Sequence, residues 1–450
     1  MTLDRKINHS FSERESFIEK AMGLHNHIAS HECCGLDIVG KLIVYLFFVY
    51  LTGEDKNKEE NENRIDIAKG LGYKELTELA YRARWIEKNC GMEDYEIFSF
   101  ISSLRDKLSQ NLKEELFRGN VESSNSFFSS CGFEIEVDEI YDLLAFIWRR
   151  NISKHYTDDE VRLSQSILSI DHGDYILVES KTLPGFFMSI GKDKECDVLF
   201  SIDDIYERTL SKMLLIMTVE REKLSRYRFV GQITGEDSLR NKNNNGLEYP
   251  NKILSFSVLN VGMRVIRESN SSLGDGFSMI KALIERGAKA LFFVSATLLS
   301  FGKGLANKIR KEVFNIDSSL SVLSFDRRFS NIISIDGSNK REEVLMLNLD
   351  EVDIVFDDVT CSEIAASISG DEENAGDLKG RAIRIKRDTI EKDDYMLYPP
   401  YFIKKEVGEI RGLSLRSMKS LMRNIENFPF FVEGCVNKHF QTYRFISLKE

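Results

Sequence analysis

The sequence predicts an α/β protein with a mostly parallel sheet that follows an all-α N-terminal domain. Seven apolar runs rich in β-branched residues occur between residues 174 and 336, and helical patterns separate several of them. Continuous apolar runs are typical of strands buried on both faces, and helical crossovers favour parallel pairing. The runs are 174–180, 196–203, 227–234, 252–260, 288–295, 320–325 and 331–336.

The last two runs have a different relationship from the others. Only residues 326–330 separate them, which is too short for the crossover that a parallel pair requires. The sequence therefore predicts six parallel strands and one antiparallel strand at the end.

The rest of the chain divides by composition. Residues 1–150 carry helical patterns, in which Trp85, Ile86, Ile97 and Ile101 are expected to supply the apolar stripes of a helical bundle. Residues 369–380 (SGDEENAGDLKG) form the clearest linker. We therefore expect a helical domain at 1–150, an α/β domain at 151–368 and a C-terminal extension at 381–450.

Composition excludes some classes of function. The net charge of −11 over 450 residues argues against a wholly basic nucleic-acid coat, although it leaves room for a local basic face. Seven cysteines without repeated spacing indicate reduced thiols and a cytoplasmic location. The apolar run 42–51 has ten residues, whereas a membrane span needs about 20. It is interpreted as a buried helix, and no membrane contact is expected.

The first strand-to-helix turn is where such a sheet binds a cofactor through backbone that glycines leave open. Here the turn keeps Glu179 and Gly185, but Leu183 and Pro184 add bulk. Asp203 ends the second strand, where it could hold a ribose hydroxyl or serve only as a helix cap. Asp237 follows the third strand in the turn 235–239 (GEDSL).

The order of these features resembles the adenine-specific DNA methyltransferases, and most closely the modification subunits of type I restriction systems. The matching elements are 155–158 (HYTD), 236–239 (EDSL), 260–263 (NVGM) and 308–314 (KIRKEVF), within residues 30–350. The resemblance implies a seven-stranded Rossmann-like methyltransferase domain after an all-α domain. It also implies S-adenosylmethionine as cofactor and a catalytic turn at 260–263.

The departures from this family decide the functional expectation. The glycine-rich cofactor loop is reduced to Glu179 and Gly185, and the catalytic turn keeps Asn260 but has Met263 where the family has an aromatic ring. In the family this ring stacks on the flipped base. Glu179, Gly185, Asp203 and Asp237 would be the cofactor contacts only in an active enzyme. We expect an inactive relative that needs no cofactor.

Two other groups of residues are candidates for a metal site and for a DNA-binding surface. His25, His27, His31, Cys33 and Cys34 are close in sequence, but their spacing matches no strong zinc motif, so no metal is expected. Arg416, Lys419 and Arg423 would form the outer face of a C-terminal helix. Such a basic stripe could contact DNA phosphates or could simply be a solvated face.

The expected function is that of a DNA- or partner-binding subunit of a restriction-modification or phage-defence system. Two alternatives stay open. One is an active S-adenosylmethionine-dependent adenine-specific DNA methyltransferase with divergent motifs. The other is a protein-interaction scaffold without DNA binding.

Overall fold

The structure is a computed structural model that describes part of the chain. The described residues are 22, 23, 26, 37–53, 72–92, 94–118, 158–181, 183, 187–188, 190–191, 194–241, 247–259, 275–300, 304–325, 331–349, 356–371 and 381–407.

One mostly parallel sheet forms the centre of this mixed α/β fold. The described residues contribute nine strands in the order β3-β2-β1-β4-β5-β7-β6-β8-β9. Strands β7 and β9 are antiparallel to their neighbours, and the remaining strands run in one direction. The strands are β1 (Tyr175–Ser180), β2 (Asp197–Ile202), β3 (Tyr227–Val230), β4 (Lys252–Ser255), β5 (Lys289–Val294), β6 (Ser319–Phe325), β7 (Asn331–Asp336), β8 (Glu343–Leu349) and β9 (Ala382–Lys386).

The predicted count of seven strands is wrong, because β8 and β9 extend the sheet beyond β6. The seven predicted runs coincide with the strands β1 to β7 apart from residues at their ends, and β6 pairs antiparallel with β7 as expected. Strand β8 pairs parallel to β6, and β9 pairs antiparallel to β8. Strand β9 (AIRIK) is short and partly charged, so only the open edge of β8 makes it a strand.

Helices cover the sheet on both faces. They are α1 (Ile38–Gly53), α2 (Tyr73–Asn89), α3 (Glu96–Arg118), α4 (Asp158–Leu168), α5 (Ile205–Thr218), α6 (Glu236–Leu239), α7 (Asp275–Glu285), α8 (Ala296–Ser300), α9 (Leu305–Phe314), α10 (Asp358–Ser369), α11 (Arg387–Lys392) and α12 (Pro399–Val407), with a 3-10 helix at Arg221–Arg226. Alternate residues of β1 point to opposite faces: Ile176 and Val178 join one buried cluster, and Tyr175 and Leu177 join the other.

The N-terminal helices share their core with one face of the sheet. Helix α1 packs against α5, and its apolar residues are buried as the sequence predicts. Its side chains belong to the same cluster as Val198 and Phe200 of β2. The described part of residues 1–150 is helical, and a separate all-α domain stays a prediction.

Charged side chains add a second link between these helices and α5. Arg208 donates to both carboxylate oxygens of Glu96, at 2.5 to 3.1 Å, and Lys212 lies 2.8 Å from the same carboxylate. Burial opposes the ionisation of Glu96, but the hydrogen bonds from Arg208 and Lys212 hold its pKa below the usual value. The fully buried Lys212 also pairs with Asp94, so the start of α3 is fixed to α5 by charge as well as by packing.

Residues beyond the expected linker also pack on the sheet. Besides pairing β9 with β8, they bury Leu397, Tyr401 and Phe402 in the cluster on the second face of the sheet. The domain boundary between 368 and 381 stays a prediction, although part of the extension completes this core. No helix in the described part of the chain is long and apolar enough to cross a membrane.

Candidate cofactor site at the carboxyl edge of the sheet

Strands β1, β2 and β4 end side by side at one edge of the sheet. Ser180 of β1 is level with Ile202 of β2, and Glu179 is level with Ser255 of β4. Because the three strands are parallel, the segments that follow them lie at the same edge, where ligands bind in folds of this kind. This edge is the candidate cofactor site.

The carboxylate of Glu179 is hydrogen-bonded by the end of the neighbouring strand. One oxygen, Oε2, accepts from Ser255 Oγ at 2.7 Å and from the backbone N–H groups of Ser257 and Val258, both at 3.2 Å. The other oxygen, Oε1, accepts from Ser257 Oγ. The backbone carbonyl of Glu179 accepts from Phe256 N at 2.9 Å. Glu179 thus holds the segment after β4 against the end of β1.

This arrangement leaves the Glu179 carboxylate little capacity for another ligand. An ionised carboxylate has about two acceptor positions on each oxygen; three protein donors point at Oε2 and one at Oε1, so only Oε1 has room for a further donor. Only 8% of the residue is exposed. A cofactor hydroxyl that bound at Oε2 would have to displace a donor of the protein, which would then be left unpaired in a buried position.

Apolar side chains fill the space behind the end of β1. Leu183, Phe187, Met188 and Ile190 are all at most 3% exposed. The Phe187 ring meets the rings of Phe256 and Phe293 edge-on, with centroids 4.8 and 5.4 Å apart.

A hydrogen bond fixes the backbone of the same segment. The Leu183 N–H donates to Glu207 Oε2 at 2.9 Å, and burial raises the pKa of Glu207. The residues after β1 are therefore tied to helix α5 at the position where the family's glycines leave open backbone.

The two aspartates expected near the cofactor lie at the surface. Asp204, and not Asp203, caps helix α5, since its side chain accepts from the N–H groups of Tyr206 and Glu207 at 2.8 and 3.0 Å. Asp203 is exposed at the end of β2, and Asp237 is exposed on the four-residue helix α6. Neither of them contacts the Glu179 cluster through a hydrogen bond among the described residues.

Several predicted site residues lie outside the described residues. These are Gly185, Asn260, Met263, Arg416, Lys419 and Arg423, together with the candidate metal ligands His25, His27, His31, Cys33 and Cys34. Within the described part of the chain, no group of three or more His, Cys, Asp or Glu side chains is arranged to hold a metal ion.

Three residues that shape this edge could not be identified from the sequence. Ser255 and Ser257 follow a strand in the pattern Ser-Phe-Ser, which by itself predicts only alternation between two faces. Glu207 is a residue of the first turn of α5, where acidic residues are common for reasons of the helix dipole. Their partners, Glu179 and Leu183, are distant in sequence, so only the folded chain joins them.

Comparison with known proteins yields structural matches alone. No family model and no curated protein matches the sequence. Among solved structures, the type IIG restriction endonuclease BpuSI is similar, with 11% identity, a TM-score of 0.44 and coverage of 85% of this chain and 46% of that one. This chain thus spans less than half the length of that enzyme.

Two further neighbours come from type I restriction systems. A modification subunit of a putative type I restriction enzyme from Vibrio vulnificus has 10% identity and a TM-score of 0.48, with coverage of 84% of this chain and 93% of that one. The M protein of the type I restriction enzyme EcoKI has 12% identity and a TM-score of 0.36, with coverage of 85% and 89%. The likeness concerns the fold and carries no argument about the site.

Proposed function

We propose that this chain is a catalytically inactive relative of the adenine-specific DNA methyltransferases that acts as a DNA- or partner-binding subunit. The system would be restriction-modification or phage defence. The observation that carries the proposal is the closed end of β1, where Glu179 is bound by donors of the β4 segment and where Leu183 and Phe187 are buried.

The chemistry of S-adenosylmethionine explains why this observation matters. The cofactor needs backbone that it can approach closely and an acidic side chain that can accept its hydroxyl groups. At the end of β1 the carboxylate is already engaged, and bulky side chains replace the glycines. The described residues at the end of β1 therefore do not fit the cofactor.

One observation favours the alternative of an active enzyme with divergent motifs. Asp203 is exposed at the carboxyl end of β2, which is the position of the acid that holds a ribose in doubly wound folds. The sequence also keeps Asn260, the residue type that binds the adenine amino group in the resembled family.

Isothermal titration calorimetry with the full chain separates the two possibilities. We expect S-adenosylmethionine and its demethylated product to give no binding heat, because their binding would have to break hydrogen bonds that the protein donates to the Glu179 carboxylate. Micromolar affinity would overturn the proposal in favour of the active enzyme. In that case the Asp203→Ala variant would report whether the ribose is held at the end of β2.

Binding to DNA is tested through the C-terminal basic residues. We expect duplex DNA to bind through phosphate contacts of Arg416, Lys419 and Arg423, with an affinity that falls steeply with salt. Replacing all three by Ala should reduce the slope of log affinity against log salt concentration by up to the contribution of about three phosphate contacts. Equal affinity of the parent protein and the triple variant for duplex DNA would mean that the three basic residues form only a solvated face. The absence of binding at low salt would favour the protein-interaction scaffold.

A further inference from the structure

Helix α2 exposes three aromatic side chains, of which the sequence analysis assigns Trp85 to the core. Trp85 is 57% exposed, Tyr81 60% and Tyr73 48%. The expectation that Trp85 faces the interior is therefore wrong, because Ala83 and Ile86 point to the core in its place. Of the seven large hydrophobic side chains that are exposed in the described part of the chain, three lie on this one helix.

The exposed face of α2 combines these rings with basic residues. The opposite face is buried through Leu76, Leu79, Ala80, Ala83, Ile86 and Glu87. The helical period of 3.6 residues then brings six aromatic or basic residues together on the outward side over about 22 Å of helix. We call this set the aromatic–basic strip; it consists of Tyr73, Lys74, Tyr81, Arg84, Trp85 and Lys88.

Arginine side chains lie over the rings of the strip and of its neighbours. The Arg221 guanidinium lies 5.5 Å from the ring centre of Trp85, and that of Arg84 lies 5.3 Å from the ring centres of both Tyr95 and Phe98. Such cation–π contacts hold the planar guanidinium group in a fixed orientation. Less conformational entropy is then lost when the group meets an anion.

The charge of the strip contrasts with that of the whole chain. The strip carries Lys74, Arg84 and Lys88, whereas Glu78 is the acidic side chain on the same exposed face of α2. Asp94, which follows the helix, pairs with Lys212. In a chain with a net charge of −11, this local excess of positive charge favours an anionic partner.

We infer that the aromatic–basic strip binds single-stranded nucleic acid. Unpaired bases would stack on Tyr81 and Trp85, which are one helical turn apart, while Arg84 and Lys88 would contact the phosphates. Aromatic rings interleaved with cations are the feature that single-strand-binding surfaces use, because every base has a π-face and every nucleotide a charge.

A protein partner fits this composition less well. The centre of a protein interface is depleted in charge, and its rings cluster with other apolar side chains. Here the cations alternate with the rings, and no large aliphatic side chain is exposed on the described residues of α2.

The inference rests on the proposed function in that it names a ligand for a binding subunit. It involves none of the residues of the carboxyl edge of the sheet or of the C-terminal basic stripe.

The experiment uses the intrinsic fluorescence of the full chain. The protein has two tryptophans, so the Trp148→Phe variant leaves Trp85 as the only one. We expect a short oligothymidine to quench the Trp85 emission. We also expect fluorescence anisotropy with a labelled oligothymidine to show affinity that weakens with salt, by a log–log slope of about 0.7 per phosphate contact.

The decisive variants remove the rings. Tyr81→Ala with Trp85→Ala should weaken oligothymidine binding by roughly 5- to 150-fold, which corresponds to the loss of at least one base stack. Val359→Ala, which shortens another exposed hydrophobic side chain on α10, serves as the matched control and should bind like the parent. Thermal melts of both variants establish that folding is unchanged, as expected for exposed positions.

Three results would overturn the inference. They are unchanged affinity in the double variant, no oligothymidine binding at low salt, and duplex DNA binding as tightly as the single strand to a protein in which Arg416, Lys419 and Arg423 are replaced by Ala. If the Arg416, Lys419 and Arg423 triple variant loses binding while the ring variant keeps it, this inference fails and the proposed function stands. If S-adenosylmethionine binds while the ring variant loses oligothymidine, the proposed function fails and this inference stands.

Discussion

At the scale of single residues, two buried glutamates carry the most consequence for function and stability. Glu179 has the sequence position of a cofactor ligand, yet its carboxylate serves as the acceptor for the segment after β4. Glu87 of α2 is fully buried, and its carboxylate accepts from the N–H groups of Ile97 and Phe98 at the start of α3, at 2.8 and 3.0 Å. Each joins two segments that are distant in sequence.

The first prediction concerns Glu179. We expect Glu179→Ala to lower the free energy of unfolding by roughly 1–3 kcal/mol or more, because it leaves the donors of Ser255 and Ser257 buried and unpaired. Urea denaturation of the cofactor-free protein measures this loss. Asp203→Ala is the control, since this exposed acid should change stability by no more than about 0.5 kcal/mol. If Glu179 existed only to bind a cofactor, both variants would be equally stable.

The second prediction concerns pH. Burial raises the pKa of Glu87 from 4.5 to about 7, although the N–H groups of Ile97 and Phe98 oppose this shift. The folded state therefore binds more protons than the unfolded state between these values. The stabilisation is complete below pH 4.5 and is lost as pH rises through about 7, by up to roughly 3 kcal/mol.

Unfolding at pH 5 and pH 8 tests the Glu87 contribution against a matched variant. Glu87→Gln should show a smaller loss of stability between the two pH values than the parent protein does. Glu78→Gln, on the exposed face of the same helix, should keep the parent's pH dependence. The same dependence in all three proteins would mean that Glu87 is ionised throughout this range.

At the scale of elements, the junction of β9 and α11 ties the C-terminal residues to the sheet. The Arg387 guanidinium donates to the carbonyl oxygens of Phe314 and Ser318, both at 2.6 Å, and of Arg341 at 3.2 Å. It also lies 4.9 Å from the ring centre of Phe314. One side chain thus connects the end of β9 with the end of α9 and with the residues just before β6 and β8.

The third prediction follows from this junction. Arg387→Lys should lower the free energy of unfolding by roughly 2 kcal/mol, because a lysine ammonium cannot reproduce the planar fork that reaches three carbonyls. Arg384→Lys, at an exposed position of β9, is the control and should have little effect. Chemical denaturation followed by circular dichroism measures both. An unchanged parent-like stability for Arg387→Lys would indicate that residues 381–407 contribute little to the stability of the sheet.

At the scale of the whole molecule, the described helices and strands form one sheet between two helical layers. The buried cluster on one face extends from α1 to α10, and the cluster on the other face extends from β1 to α12. Because the strands contribute to both clusters, the two layers cannot lose their packing independently.

The fourth prediction is therefore a single cooperative thermal transition that S-adenosylmethionine does not shift. A ligand raises the melting temperature only when it binds the folded state, and the proposed function expects no binding of the cofactor. Differential scanning calorimetry with and without the cofactor provides the measurement. A rise of several degrees would show that the folded chain binds the cofactor. Two separated transitions would show that the helical layers unfold as separate units.

The sequence determined strands β1 to β7 but not β8 and β9, because burial on both faces leaves a continuous apolar run that can be read directly. It also determined that β6 and β7 pair antiparallel, since five residues cannot form a crossover. Each of these features depends on neighbouring residues.

Only the tertiary structure decided the features that depend on partners distant in sequence. Strand β9 pairs with the edge of β8. The Glu179 carboxylate accepts hydrogen bonds from Ser255 and Ser257 because the end of β4 lies directly beside the end of β1. Trp85 faces outward because Ala83 and Ile86 fill the core positions of α2. A sequence pattern fixes which residues share a face, whereas packing against the rest of the chain fixes which face is buried.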